Sequence, residues 1–345
     1  MSKNNLELAV TGDFMISHEF SPNQFPFKRI FEVLKRADLV FANLETPLGR
    51  EGYPREKMFA FMADPALARV VQSTGVDVVS LANNHMLDYG EQGLVQTLDA
   101  LSRTGVPHVG AGRNIREASK PVFLEKNGVR IAFLGYAATL PLGAAASKDR
   151  PGIAPVHVTT SYEMDATLLQ EQPGNPPIVR TSVDAKDERR ICGEIRKARK
   201  RADHVIVGIH WGVAFINRPQ EYQQPLARKM IEAGASLIVG HHPHMRHHVE
   251  RHKNGVILYS LGDFVFHDRV DMTGESGMLA TVALDKEKIR AVRLWPISVH
   301  EKLGLPTLGK ESDAKLLLKE MKTLNPRETF TLDQNTLVLK VKVKR

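Results

Sequence analysis

Short β-branched runs recur along most of this chain, and each leads into a polar turn and then an amphipathic stretch. Residues 6–10 form such a run and end at Thr11-Gly12-Asp13, and residues 27–36 carry a helical pattern. Runs at 39–42 and 76–81 follow, with helical stretches at 66–72 and 91–102; in the latter Leu94, Val95, Leu98 and Leu101 share one face. Further strands are expected at 129–134, 204–209, 237–239 and 256–261, with helices around 187–201 and 223–233. This alternation predicts an α/β fold with a largely parallel sheet. After residue 260 the runs 277–284 and 289–299 have no helix between them, so part of the sheet is expected to be antiparallel. The reading gives one domain over 5–300, with an Ala-, Gly- and Pro-rich insertion or lid at 137–183 that is expected to shape substrate access, and an appendage at 301–345.

Composition removes several alternatives. With 42% hydrophobic and 25% charged residues the chain is globular rather than disordered, and 345 residues allow an ample core. A single cysteine, Cys192, excludes an internal disulfide framework and a Cys-rich zinc module. The first residues show no apolar signal region, and the apolar stretch 129–146 is broken by Arg130, Gly135, Pro141 and Gly143. A cytoplasmic location without a membrane anchor is therefore expected, or an extracytoplasmic one if a leader has been removed. The net charge of +8 is spread thinly. Its two concentrations are the end of a helix at 196–201 and the alternating Lys340, Lys342 and Lys344, the pattern of a charged edge strand. No aromatic residues interleave either patch, so nucleic acid is not the expected partner.

The chemistry gathers where the strands end. In open α/β sheets ligands bind beyond the carboxyl ends of the strands. Those ends carry Asp13, Asn43-Leu44-Glu45, Asn83-Asn84-His85, His210-Trp211-Gly212 and Gly240-His241-His242-Pro243-His244. Taken singly, Asp13 is equally a turn or cap residue, Glu45 a loop carboxylate and His210 a structural histidine. The sharpest local signal is the last, because six of the 14 histidines fall between His241 and His252. A His-x-His pair on an extended backbone turns both imidazoles to one side, which suits chelation. Carboxylates, an amide and imidazoles without thiolate favour Mn, Fe or Zn over a soft metal.

In this order the residues resemble the calcineurin-like metallophosphoesterase superfamily and, more narrowly, the CapA family associated with poly-γ-glutamate capsule synthesis. The resemblance is carried by Gly12-Asp13-Phe14-Met15, Asn43-Leu44-Glu45-Thr46-Pro47, the block from Leu81 to Gly90, Gly110-Ala111-Gly112-Arg113-Asn114, His210-Trp211-Gly212, Gly240-His241-His242-Pro243-His244 and Tyr259-Ser260-Leu261-Gly262-Asp263-Phe264. It implies a four-layer α/β/β/α sandwich with mixed sheets and two divalent cations at one end. Carried over residue by residue, Asp13 binds one metal, Glu45 bridges, Asn84 and His210 bind the second, and His242 and His244 complete the pair. His85 matches the histidine that assists the leaving group. Asn43, Asn83, Asp88 and His241 are candidates for supporting or substrate-contacting positions, Asp88 being equally a helix cap. The superfamily pattern Asp-x-His is here Asp13-Phe14-Met15, and Met15 is a poor ligand for such ions, so recruitment of Asn43 is one expectation.

The resemblance thus implies metal-dependent hydrolysis of a phosphoester. The alternative is a non-hydrolytic accessory that holds γ-polyglutamate or binds subunits of a capsule synthetase.

Overall fold

Alternation with a period of two decides what each strand faces. In the strand Asn5–Met15, Leu8 and Val10 point to one core while Ala9 points to another. Phe41 and Val40 divide in the same way in Leu39–Leu44, as do Phe133 and Leu134 in Val129–Ala137 and Ile206 and Val207 in His204–His210. Strands with both faces buried read as continuous apolar runs, and such sheets need cover on each side.

The computed structural model describes residues 5–267 and 277–341. Its first large sheet runs Phe330–Asp333, Thr336–Lys340, Ile289–Val299, Met278–Asp285, Asn5–Met15, Leu39–Leu44, Val78–Ser80 and His108–Val109, in that spatial order. The second runs Val249–His252, Gly255–Leu258, Leu237–His241, His204–His210, Val129–Ala137 and Val122–Lys126. Both are mixed: the strands followed by helices pair in parallel, and the hairpin strands Met278–Asp285 and Ile289–Val299 pair antiparallel, as expected. The inner faces pack on each other through Leu8, Phe41, Phe133, Ile206 and Val239. Helices Lys28–Arg36 and Gly90–Thr104 cover the outer face of the first sheet, and Ala185–Arg199 and Gln223–Glu232 that of the second. The result is the four-layer α/β/β/α sandwich.

Several local expectations are corrected. The first strand does not stop at Thr11. It continues to Met15, with its register against Leu39–Leu44 shifting between Val10 and Asp13, and this irregularity re-aims Asp13. The strand Thr336–Lys340 is not an edge, because Ile289–Val299 and Phe330–Asp333 flank it; Lys342 and Lys344 lie outside the described residues. Residues beyond 300 add strands to the first sheet, and their helix Glu311–Leu324 buries Leu317 and Met321 in the layer between the sheets. Within 137–183, Val158–Glu163 and Ile178–Val183 form a separate two-stranded ribbon.

Candidate metal centre

Parallel strands of both sheets deliver their carboxyl ends to one place. The first sheet supplies Asp13, Asn43 and, just past its strand, Glu45; the loop after Val78–Ser80 supplies Asn83, Asn84 and His85. The second sheet supplies His210 and His241, paired across neighbouring strands, and then His242 and His244. Asp13, Asn43, Glu45 and Asn83 have no solvent exposure, and His210 and His241 are buried.

Two groups of donor atoms emerge, each with all atoms within 4.8 Å of one another: Asp13, Glu45 and His244, and Glu45, His210 and His242. Glu45 belongs to both. Asn84 joins the second through its Oδ1, 2.7 Å from His210 Nε2, and that same Nε2 lies 3.5 Å from Glu45 Oε1. Asp13 Oδ2 lies 3.5 Å from His244 Nδ1 and accepts the His242 backbone N–H at 3.1 Å.

The His-x-His geometry differs from the expectation. His242 and His244 have φ of 96° and 55°, in the left-handed region, so the backbone between them is not extended. The strand ends at His241, Pro243 cannot continue it, and two left-handed residues flanking the proline turn the rings inward, 5.7 Å apart. Strain of this kind, on the order of 1–3 kcal/mol per residue, persists where surroundings over-determine it and clusters at functional sites. Gly240 admits the turn, since a Cβ there would stand 2.1 Å from Tyr259 O.

Supporting contacts fix the donors. Asn43 Nδ2 donates to Asp13 Oδ1 at 2.9 Å, and its Oδ1 accepts from Asn83 Nδ2 at 3.2 Å, so Asn43 braces Asp13 rather than replacing Met15. Met15 packs with Phe266 and Val299, away from the donors. Asn83 Oδ1 also accepts from the backbone N–H of His85 and Met86. Asp88 Oδ2 lies 2.7 Å from His85 Nδ1, and the following helix has no side-chain cap, so Asp88 holds the His85 ring instead of capping that helix. His241 is turned away, its Nε2 3.0 Å from Thr11 O, where it joins the two sheets.

The electrostatics suit a cation. Burial raises Glu45 well above the usual carboxylate range, with Asp13 adding to it, and neither Glu45 oxygen has a hydrogen-bond partner. Burial likewise raises Asp13. Burial pushes His210 well down and His242 to about 3, and His242 Nδ1 also lacks a partner. Neutral imidazoles and buried carboxylates with unpaired atoms are what a metal requires. At His244 burial opposes charge, yet Asp263, Glu45 and Asp13 prevail and raise it to about 10.

Sequence reasoning left three contributors out of the set. Asp263, quoted above only as part of the block 259–264 and without a role, places its Oδ1 2.8 Å from His244 Nδ1. It arrives by parallel pairing with Asp13, an approach only a glycine at position 12 permits, since a Cβ there would stand 1.9 Å from Gly262 O. Lys57 donates to Asp88 Oδ1 at 2.6 Å and to Asn84 O at 3.1 Å. The cavity above the centre is walled by loops at 57–61 and 214–215 and by Phe266; the 137–183 segment, expected to shape access, lies off its lining.

Residues 7–268 match the family described as bacterial capsule synthesis protein PGA_cap. The chain belongs to this family. PGA_cap is part of the metallophosphoesterase-like superfamily. The chain is 32% identical to the capsule biosynthesis protein CapA of Bacillus anthracis over 284 residues, covering 79% of this chain and 63% of that protein. It is 31% identical to the PGA biosynthesis protein CapA of Bacillus subtilis, covering 86% and 70%. A 27% identical relative from Mycobacterium tuberculosis, covering 70% and 60%, is named a probable polyglutamine synthesis accessory protein. The match therefore leaves more than a third of the Bacillus anthracis relative's length outside the comparison. Among the described residues no helix is long and apolar enough to cross a membrane.

Proposed function

We propose that this PGA_cap chain is a phosphoester hydrolase that works with two divalent cations sharing Glu45. The observation that carries the reading is a fully buried carboxylate, common to both donor groups, with neither oxygen hydrogen-bonded. Asp13, Glu45 and His244 are suited to hold one cation, and Glu45, His210, His242 and Asn84 the other; the donor set favours Mn, Fe or Zn. Such cations, when bound, acidify water and neutralise charge on phosphoryl oxygens.

The remaining work falls to the chain. Asp88 takes the Nδ1 side of His85 and leaves Nε2 toward the cavity, 4.0 Å from Glu45 Oε1, so that the ring, once protonated at both nitrogens, would pass its Nε2 proton to a departing alkoxide and return to the neutral form. Lys57 balances the Asp88 charge and, through Asn84 O, steadies the loop that carries Asn84 and His85. Asp263 fixes the ring of His244, and Asn43 and Asn83 tie Asp13 to the His85 loop.

The test is metal content by plasma emission on the purified protein, beside Glu45→Ala and His242→Ala. About two equivalents in the wild type, lost in both variants, together with metal-dependent turnover of a phosphoester, is the expected result. A wild type that is reloaded with Mn, Fe or Zn and still hydrolyses no phosphoester refutes it.

A second reading is favoured by the names of the relatives. As an accessory to capsule assembly, the chain would hold γ-polyglutamate or a synthetase subunit without hydrolysis. Binding to γ-polyglutamate that survives Glu45→Ala and His242→Ala would support that reading.

A further inference from the structure

The cavity over the donor cluster encloses about 310 Å3. Its floor is formed by Asn84, His85, His242 and His244, but its walls are apolar: Met58, Phe59 and Phe61 on one side, Phe215 and Phe266 on the other. Phe59 and Phe61 lie parallel, with an interplanar angle of 4° and centroids 6.3 Å apart, and Phe61 stands 4.8 Å from the His85 ring. Phe215 stacks on His244 at 5.6 Å, and Phe266 meets that ring edge-on at 5.2 Å. The outer wall is wet: Met58 is 88% exposed, Phe215 49% and Phe59 37%. A cluster of solvated apolar side chains at the mouth of a buried polar site marks a place where an apolar group is received.

Those walls are held in place before any ligand arrives. Asp88 accepts the Phe61 N–H at 2.8 Å through its side chain and the Arg55 N–H at 2.8 Å through its carbonyl. The loop that carries Met58 and Phe59 is thus pinned to the residue that orients His85. Across the cavity, Phe215 takes the left-handed φ of 62° and donates its N–H to Pro243 O at 2.9 Å, within the turn that aims His242 and His244. Among the described residues the one Lys or Arg on the lining, Lys57, is already paired with Asp88. Beyond the imidazoles of the floor a polyanion would meet aromatic faces here, whereas an aryl or compact alkyl group would bury its surface against four phenylalanines. The volume is at the small end of about 300–1,000 Å3 for ligand pockets, room for one such group.

Resting on the phosphoester reading above, we infer that the cavity selects substrates whose organic group is apolar and ring-sized, with Met58 and Phe59 as specificity-determining residues. Phosphonates, which resist hydrolysis, separate the two claims. Mn-loaded protein is titrated calorimetrically with methylphosphonate, 1-naphthylmethylphosphonate and phosphonoacetate, using wild type, Met58→Ser and Phe59→Ser, with metal content measured for each. The naphthyl compound is expected to bind tighter than methylphosphonate by about tenfold or more, and the ratio is expected to shrink severalfold in each variant at unchanged metal content. Equal affinities of the naphthyl and methyl compounds, a preference for phosphonoacetate, or a ratio untouched by both variants overturns the inference while the phosphoester reading stands. If no phosphonate binds the metal-loaded protein, the phosphoester reading fails and takes the inference with it.

Discussion

Replacing Glu45 by Gln should change sign with the metal. Without a cation, the carboxylate sits with no exposure and no hydrogen bond to either oxygen, and burial, Asp13 and Asp263 outweigh the opposing charges of His244 and Lys57. A buried charge compensated only in part costs up to several kcal/mol. The cost has a ceiling, since a carboxylate with an ordinary value near 4.3 can take up a proton at pH 7 for about 4 kcal/mol. An amide of the same shape avoids that penalty but leaves a buried polar group poorly satisfied, at roughly 1–3 kcal/mol. The metal-free variant should therefore be more stable than metal-free wild type by about 1–3 kcal/mol. With Mn at a thousand times its Kd the order reverses, because the cation adds about 4.1 kcal/mol to the wild type and the amide is a weaker bridging ligand. Urea unfolding at pH 7, with chelator and with excess Mn, reads both arms. A variant less stable than wild type under both conditions would refute the reasoning, since it would make Glu45 a structural group.

Three further outcomes are expected. Asp88→Asn should lower phosphoester turnover by about 10–100-fold with metal content unchanged, and loss of the metal instead would place Asp88 in the centre itself. Gly12→Ala should destabilise the fold by about 1–3 kcal/mol and lower metal content although the added Cβ meets the Gly262 backbone and not a donor atom, because it would displace the segment carrying Asp263; urea melts and plasma emission check both. His247 is held down to about 4 by burial, with Ile216 O partly opposing through Nε2. The unfolded chain protonates this ring near 6.5 while the folded chain resists, so the contribution is complete above pH 6.5 and lost as pH falls toward 4. His247→Gln should thus reduce the stability lost between those pH values by up to roughly 3 kcal/mol in denaturant melts, and an unchanged pH slope would contradict the assignment.

The layers, and the residues that meet at the candidate centre, were legible because both obey a period. Residues such as Val40 and Phe41, or Val207 and Ile206, must alternate between two covered faces, and a polar residue ending such a run stands out, as Asp13, Glu45, Asn84, His210 and His242 do. What lay hidden has no period. Asp263 reaches His244 through a strand pairing 250 positions removed from Asp13, and nothing local in its sequence announces the partner. Lys57 and Phe61 sit on a loop whose shape is set by hydrogen bonds to Asp88, not by its own composition. The turn at His242 and His244 misled for a related reason: alternation assumes an extended backbone, and left-handed residues break it.

The candidate donors are divided between the two sheets, with Asp13, Glu45 and Asn84 on one and His210, His242 and His244 on the other. Neither half of the sandwich can assemble a complete coordination shell by itself. Ion capture is therefore expected late in folding, after the sheets have closed on Phe41 and Phe133. From then on a bound ion would act as a clasp on the open end of the sandwich, resisting any motion that spreads its layers.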